Sequence, residues 1–174
     1  MITTYWHKYI FLILILFVHT LRAQYVSIST TNNTATELVN KLIGNNNNCI
    51  SISNAKISGW NSGGIYSYGY INSNGTNFEI NDGILLSTGN VSDAVGSYTN
   101  TQEFGDRTGW AGDTDLENAA NITRTNNATI LEFDFIPNTS KISFDYMFLS
   151  EQYLRQGAPG SCGYTGGFAF LIQK

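Results

Sequence analysis

Apolar and polar residues alternate along most of the chain after position 24, and this period of two predicts β-strands that each bury one face. The alternating segments are residues 25–29, 50–57, 66–70, 131–135, 142–148 and 168–172. A short apolar run at 84–86 predicts one further, buried strand that ends before Gly89. Turn-forming residues separate the strands at 60–64, 72–75 and 137–138. The three aromatic-rich segments after position 130 are expected to supply much of a shared core.

One segment departs from this alternation and has a helical period. Thr34 and Glu37 have the spacing of a capping box, in which a Thr side chain accepts from the third amide and the Glu reaches back. Four apolar positions then fall on one helical face: Leu38, Val39, Leu42 and Ile43. Gly44 ends the segment. The pattern predicts one short N-terminal helix.

Residues 90–127 contain little apolar periodicity and many small, acidic and amide side chains. We expect a long polar loop here, with one short helical turn that starts near Asp113. Together these patterns predict a mainly β fold. Its architecture is an antiparallel β-sandwich, jelly-roll-like, with one short N-terminal helix and a long polar loop.

The two ends of the chain carry their own expectations. Residues 9–18 are apolar, follow Lys8, and precede the small residue Ala23. The run is about half the ~20 residues that span a bilayer, so it predicts a cleaved signal peptide at 1–23 rather than a buried strand or an uncleaved anchor. The mature domain is then 24–174. Because residues 168–174 stop within a strand pattern, we expect that domain to be incomplete at its C-terminus.

Cleavage changes the inventory of chemically active residues. Both histidines leave with residues 1–23, and so do two basic residues but no acid, which takes the net charge from −4 to −6. This balance argues against nucleic-acid binding, and the missing imidazole excludes a serine–histidine nucleophile and the usual zinc sites. Cys49 and Cys162 remain. In an exported chain we expect them to form a disulfide.

Five motifs occur in a characteristic order, at 82–90, 109–116, 131–137, 142–153 and 167–171. Their order and spacing resemble the choice-of-anchor L family of bacterial surface proteins, over most of the mature chain. The resemblance implies a large exported protein of gliding Gram-negative bacteria, secreted through the type IX system and its export machinery. Two positions depart from the family pattern, since Gln152 and Gly166 stand where relatives tend to have acids.

The first functional hypothesis is a secreted or outer-surface adhesion module that binds a protein or glycan, with no transmembrane helix in the mature chain and no enzymatic activity. A carbohydrate-binding module is the alternative, with a stacking platform formed by Trp60, Tyr66, Tyr68, Tyr70 and Trp110. A third hypothesis is a glycosidase that uses two carboxylates, Glu151 with Asp113 or Asp115.

The acidic loop also suggests a calcium site, because calcium takes six to eight oxygen ligands from flexible loops rich in Asp and Asn. The candidate ligands are Asp106, Asp113, Asp115, Glu117 and Glu151. The competing interpretation is a solvated acidic loop in which Asp113 merely caps the helical turn.

Overall fold

The computed structural model describes residues 25–31, 33–44, 50–96, 109–138, 140–150 and 166–173. These residues form antiparallel β-sheets with two short α-helices, which confirms the predicted mainly β class. The strands are β1 (Ser27–Ser29), β2 (Ile50–Ser58), β3 (Asn61–Ser62), β4 (Ile65–Tyr66), β5 (Tyr68–Asn72), β6 (Asp82–Leu86) and β7 (Ile130–Pro137). The helices are α1 (Ala35–Ile43) and α2 (Thr114–Ala120), and a 3-10 turn covers Val91–Ala94.

Helix α1 begins and ends as its sequence predicts. The Thr34 hydroxyl accepts from the Glu37 N–H at 3.3 Å, and the Glu37 carboxylate accepts from the Thr34 N–H at 2.9 Å. Gly44 ends the helix with φ +67°, a conformation that costs glycine little. Leu38 and Val39 are fully buried, where α1 lies against β2, β5 and β6. The buried stripe of this helix is therefore the centre of the small core.

Two sheets carry most of the fold. The first has the order β1-β5-β6, with β5 in the middle. At its centre the Gly69 position leaves no room for a side chain, because a Cβ there would lie 2.9 Å from the carbonyl oxygen of Ser29. The second sheet pairs β2 with β7, from Ile50 opposite Pro137 to Ser58 opposite Ile130. A register shift interrupts this ladder between Ser53 and Lys56.

The long polar loop expected at 90–127 is not shown by the residues that the structure describes, whereas the short helix expected near Asp113 is present as α2. The 3-10 turn opens this region, α2 lies within it, and Ala111 bridges Asn126. The sequence signal was misleading because these elements are held by polar side chains and carry little apolar periodicity. Residues 97–108 lie outside the described part.

The expectation that 142–148 and 168–172 are core strands is also wrong. Both segments lie outside the strands, and their large side chains are exposed. The buried apolar residues are instead Leu38, Val39, Ile71, Val91 and Trp110. Alternation shows that a segment has two unlike faces, but it does not show that another layer covers the apolar one.

Candidate functional site

A cluster of five aromatic rings lies on two neighbouring segments, residues 140–150 and 166–173. We call it the aromatic face, and its members are Phe144, Tyr146, Phe148, Phe168 and Phe170. Phe144 meets Phe170 edge to face at a centroid distance of 4.5 Å, and Tyr146 lies 5.3 Å from Phe168. Phe148 stacks on Phe168 at 5.3 Å. In successive ring pairs the residue number increases along one segment and decreases along the other, so the two segments run antiparallel.

The aromatic face is open to solvent. The exposed fraction of its side chains runs from 37% for Phe148 to 61% for Tyr146. Ile142 and Ile172, which share the face by alternation, are 48% and 77% exposed. Single exposed apolar residues are ordinary on a protein surface, but a contiguous group of this kind is a candidate interaction site.

The contacts within the face are between side chains. Among the described residues, 142–149 and 166–173 form no backbone–backbone hydrogen bond, and neither segment belongs to a sheet. Edge-to-face and offset ring pairs are favourable by about 0.5–1.5 kcal/mol beyond their buried area. The rings therefore hold the two segments side by side, and both sides of the pair are exposed, because Met147, Leu149 and Leu171 on the other side are also at least 36% exposed.

The acidic segment has a different role from the face. Asp113 caps α2, since its carboxylate accepts from the Leu116 N–H at 2.7 Å. Glu117 accepts from the N–H and the hydroxyl of Thr125 at 2.7 and 3.0 Å. Asp115 is exposed in the first turn of the helix. These contacts connect α2 to the segment that leads into β7.

Only some of the predicted calcium ligands, namely Asp113, Asp115 and Glu117, lie among the described residues. Asp106 and Glu151 lie outside the described residues, and so do Cys49, Cys162 and the predicted signal peptide. Within the described part, no three acidic, histidine or cysteine side chains lie close enough together to hold a metal ion. The calcium site and the disulfide stay predictions.

Two members of the predicted sugar-stacking platform, Trp110 and Tyr70, have contacts inside the fold. Trp110 is only 6% exposed and packs on Trp60 with a centroid distance of 6.2 Å. Its indole N–H donates to the carbonyl of Ala128 at 2.8 Å, so both its ring and its polar atom are used inside the fold. Trp110 is a core residue.

Tyr70 is likewise engaged in the fold. Its hydroxyl donates to Asp82 at 2.8 Å, and the Lys41 ammonium lies 4.1 Å from its ring centroid. The hydrogen bond to Asp82, together with burial and the nearby negative charge, raises the pKa of Tyr70. This edge of the first sheet is an intramolecular cluster that fastens α1 to β5 and β6.

Sequence reasoning missed the aromatic face because it assigned those rings to the core. The available signal was the scarcity of charge in the two segments, where Lys141 and Asp145 are the charged residues at 140–150 and none occurs at 166–173. A scarcity of charge is expected both in a buried core and in a surface that a partner covers. The exposure of the rings in the structure distinguishes the second case from the first.

Comparison with known proteins gives one match. The choice-of-anchor L domain model matches residues 27–174, which is most of the chain. No curated protein and no solved structure matches it significantly. Among the described residues, no helix is long and apolar enough to cross a membrane. The chain belongs to the choice-of-anchor L family and is a cell-surface associated module.

Proposed function

We propose that the mature chain is an exported adhesion module that binds its target through the aromatic face. The observation that carries this proposal is the exposure of five mutually contacting rings on one surface. Family membership supplies the cellular setting, a surface-associated protein. The gliding and type IX secretion context belongs to the same proposal and rests on the resemblance of the motifs.

The size of the face supports a binding role. A Phe or Tyr side chain has roughly 200 Å² of surface, so the five rings alone expose about 500 Å². The largest apolar patch on a typical monomer is about 300–600 Å² and is often functional. Burying apolar surface is favourable by about 25 cal/mol per Å², so covering the aromatic face would stabilise a complex with a partner.

Of the acids that the glycosidase hypothesis names, Asp113 caps α2 and so supports structure where it stands. Asp115 is exposed, and Glu151 lies outside the described residues. The aromatic face itself offers few polar atoms, the Tyr146 hydroxyl among them, whereas sugar recognition needs several convergent hydrogen-bonding groups. These features support adhesion over catalysis or glycan binding.

The experiment measures attachment of beads coated with the purified full chain to the cells that produce it. Albumin-coated beads give the background. The test variant is Tyr146→Ser with Phe170→Ser, which removes two rings that are 61% and 56% exposed. The matched control is Val95→Ser with Ile122→Ser, two residues exposed by 42% and 48% away from the face.

We expect attachment by the unchanged chain and by the control, and background attachment by the test variant. Because all four positions are exposed, neither pair should unfold the sheets and helices of the domain, and circular dichroism checks this. The test variant also loses ring contacts that hold the two segments of the face together. Equal attachment by the test variant and the control would overturn the proposal. Attachment that free sugars abolish while the test variant still binds would also overturn it, in favour of a glycan site elsewhere.

A further inference from the structure

We infer that the partner of the aromatic face is a second copy of this chain, packed face to face, so that adhesion is homophilic. The inference rests on the proposed function and names its partner. It follows from four properties of the face: its need for a covering layer, its area, its charge and its symmetry.

The need for a covering layer comes from the size of the unit. A pair of antiparallel segments alone in water is marginally stable, and it requires a further layer against its apolar side. No described element covers the rings of the aromatic face, which are all at least 37% exposed. A second aromatic face would complete two packed layers, as the inner faces of a β-sandwich do.

The area suffices for a specific dimer. With Ile142 and Ile172 included, the face exposes roughly 700 Å² in each copy, given the exposed fractions of its side chains and their ordinary areas. Two copies would then bury about 1,400 Å², within the ~1,200–2,000 Å² range of stable interfaces. A smaller surface would support only a transient encounter.

Charge argues for a copy of the same chain over a membrane. By the same alternation Lys141 and Asp145 belong to the side of the pair opposite the rings, so two apposed aromatic faces bring no like charges together. A peripheral membrane surface would instead present several Lys or Arg side chains beside the apolar residues.

Symmetry makes a copy the simplest complement. A two-fold contact needs only one patch that fits itself, and it closes at two subunits. The face has this character, because both of its segments carry rings at alternate positions and run antiparallel. Rings of one copy can fill the spaces between rings of the other without any additional partner surface.

Sedimentation velocity on the purified full chain, over a range of concentrations, tests the inference. We expect a concentration-dependent dimer. Tyr146→Ser with Phe170→Ser should weaken dimerisation by about tenfold or more, as expected for central aromatic contacts. Val95→Ser with Ile122→Ser should leave it unchanged. In the same series, beads coated with the chain should clump with one another in the absence of cells.

A monomer at every concentration would overturn the inference, and so would a dimer that the Tyr146 and Phe170 substitutions leave intact. The two proposals fail separately. If the chain is a monomer but its beads attach to cells through the aromatic face, adhesion stands and the partner is another protein. If the chain dimerises through the face but its beads do not attach to cells, the dimer stands and adhesion fails.

Discussion

The carboxylate of Glu117 accepts two hydrogen bonds from Thr125, one from the backbone N–H at 2.7 Å and one from the hydroxyl at 3.0 Å. The same hydroxyl accepts from the Asp113 N–H at 2.8 Å. Thr125 thus joins the N-cap residue and the first turn of α2 to the segment before β7. We expect Thr125→Val, which keeps the shape and removes the hydroxyl, to lower the free energy of unfolding by about 1–3 kcal/mol.

Chemical denaturation measures this loss, and Thr114→Val is the matched control. Thr114 is exposed at the start of the same helix, so its substitution should change stability by less than about 0.5 kcal/mol. Equal effects of the two substitutions would show that Glu117 and Thr125 contribute little.

Calcium binding is predicted from the acidic segment, with Asp106, Asp113, Asp115, Glu117 and Glu151 as ligands. Saturating calcium should raise the unfolding midpoint relative to chelator, because a ligand that binds only the native state stabilises it. Asp115→Asn is the sharpest variant, since Asp113 and Glu117 also have structural contacts that their substitution would break. The variant should lose the calcium-dependent rise. An equal midpoint with calcium and chelator, and no heat of binding, would contradict the prediction.

Cys49 and Cys162 are predicted to form a disulfide in the exported protein. Peptide mapping without reductant should recover one cross-linked pair. Cys49→Ser should then lower stability by about 2–5 kcal/mol, because the bond closes a loop of roughly a hundred residues. Two thiols that alkylate freely in the folded chain would contradict the pairing.

The capping box of α1 gives a prediction with a defined pH dependence. Hydrogen bonds from the backbone and hydroxyl of Thr34 lower the pKa of Glu37 from its ordinary value of 4.5. Because the pKa of Glu37 is lower in the folded state, its ionised carboxylate stabilises the fold at pH values above the ordinary Glu pKa. This stabilisation is lost as the pH falls through the lowered pKa of the folded state. Thr34→Ala should cost about 1 kcal/mol at neutral pH.

The difference in the free energy of unfolding between the unchanged chain and the Thr34→Ala variant should shrink as the solution is acidified below the ordinary Glu pKa. Thermal unfolding at a series of pH values measures it. The control is Thr36→Ala, because Thr36 is exposed in the first turn of the same helix. This variant should show no such pH-dependent difference. A constant difference across the acid range would contradict the role of the Glu37 carboxylate.

Cleavage between Ala23 and Gln24 is predicted from the apolar run at 9–18. N-terminal sequencing of the protein recovered outside the cell should begin at Gln24. Ala23→Leu should block processing, because the cleavage site needs a small residue before the cut. Recovery of an intact Met1 on the exported protein would contradict the prediction.

Local chemistry was the part of the fold that the sequence revealed best. The capping box of Thr34 and Glu37, the cap formed by Asp113 and the turn at Gly63 and Gly64 all depend on residues close in sequence. Each of these residue types favours its own backbone conformation regardless of the remaining chain. The turns and the helix starts were predicted correctly for that reason.

Long-range relationships were the part that it did not reveal. A period of two identifies β2 and β7 as strands, but it does not indicate that Ile52 lies opposite Phe135. For the same reason the rings of Phe144 and Phe170 were assigned to a core when they form an exposed face. Trp110, which the carbohydrate-binding alternative placed on a surface platform, is buried, because its cover comes from residues distant in sequence.

The pairing of β2 with β7 bears on when this chain can fold. The ladder joins Ile50 to Pro137 and Ser58 to Ile130, so its two halves are far apart in the order of synthesis. Closing so long a loop costs entropy before any contact repays it, and folds dominated by such pairings form slowly. Strand β2 therefore stays without its partner until β7 has been synthesised, which leaves the first part of the domain unable to complete its second sheet on its own.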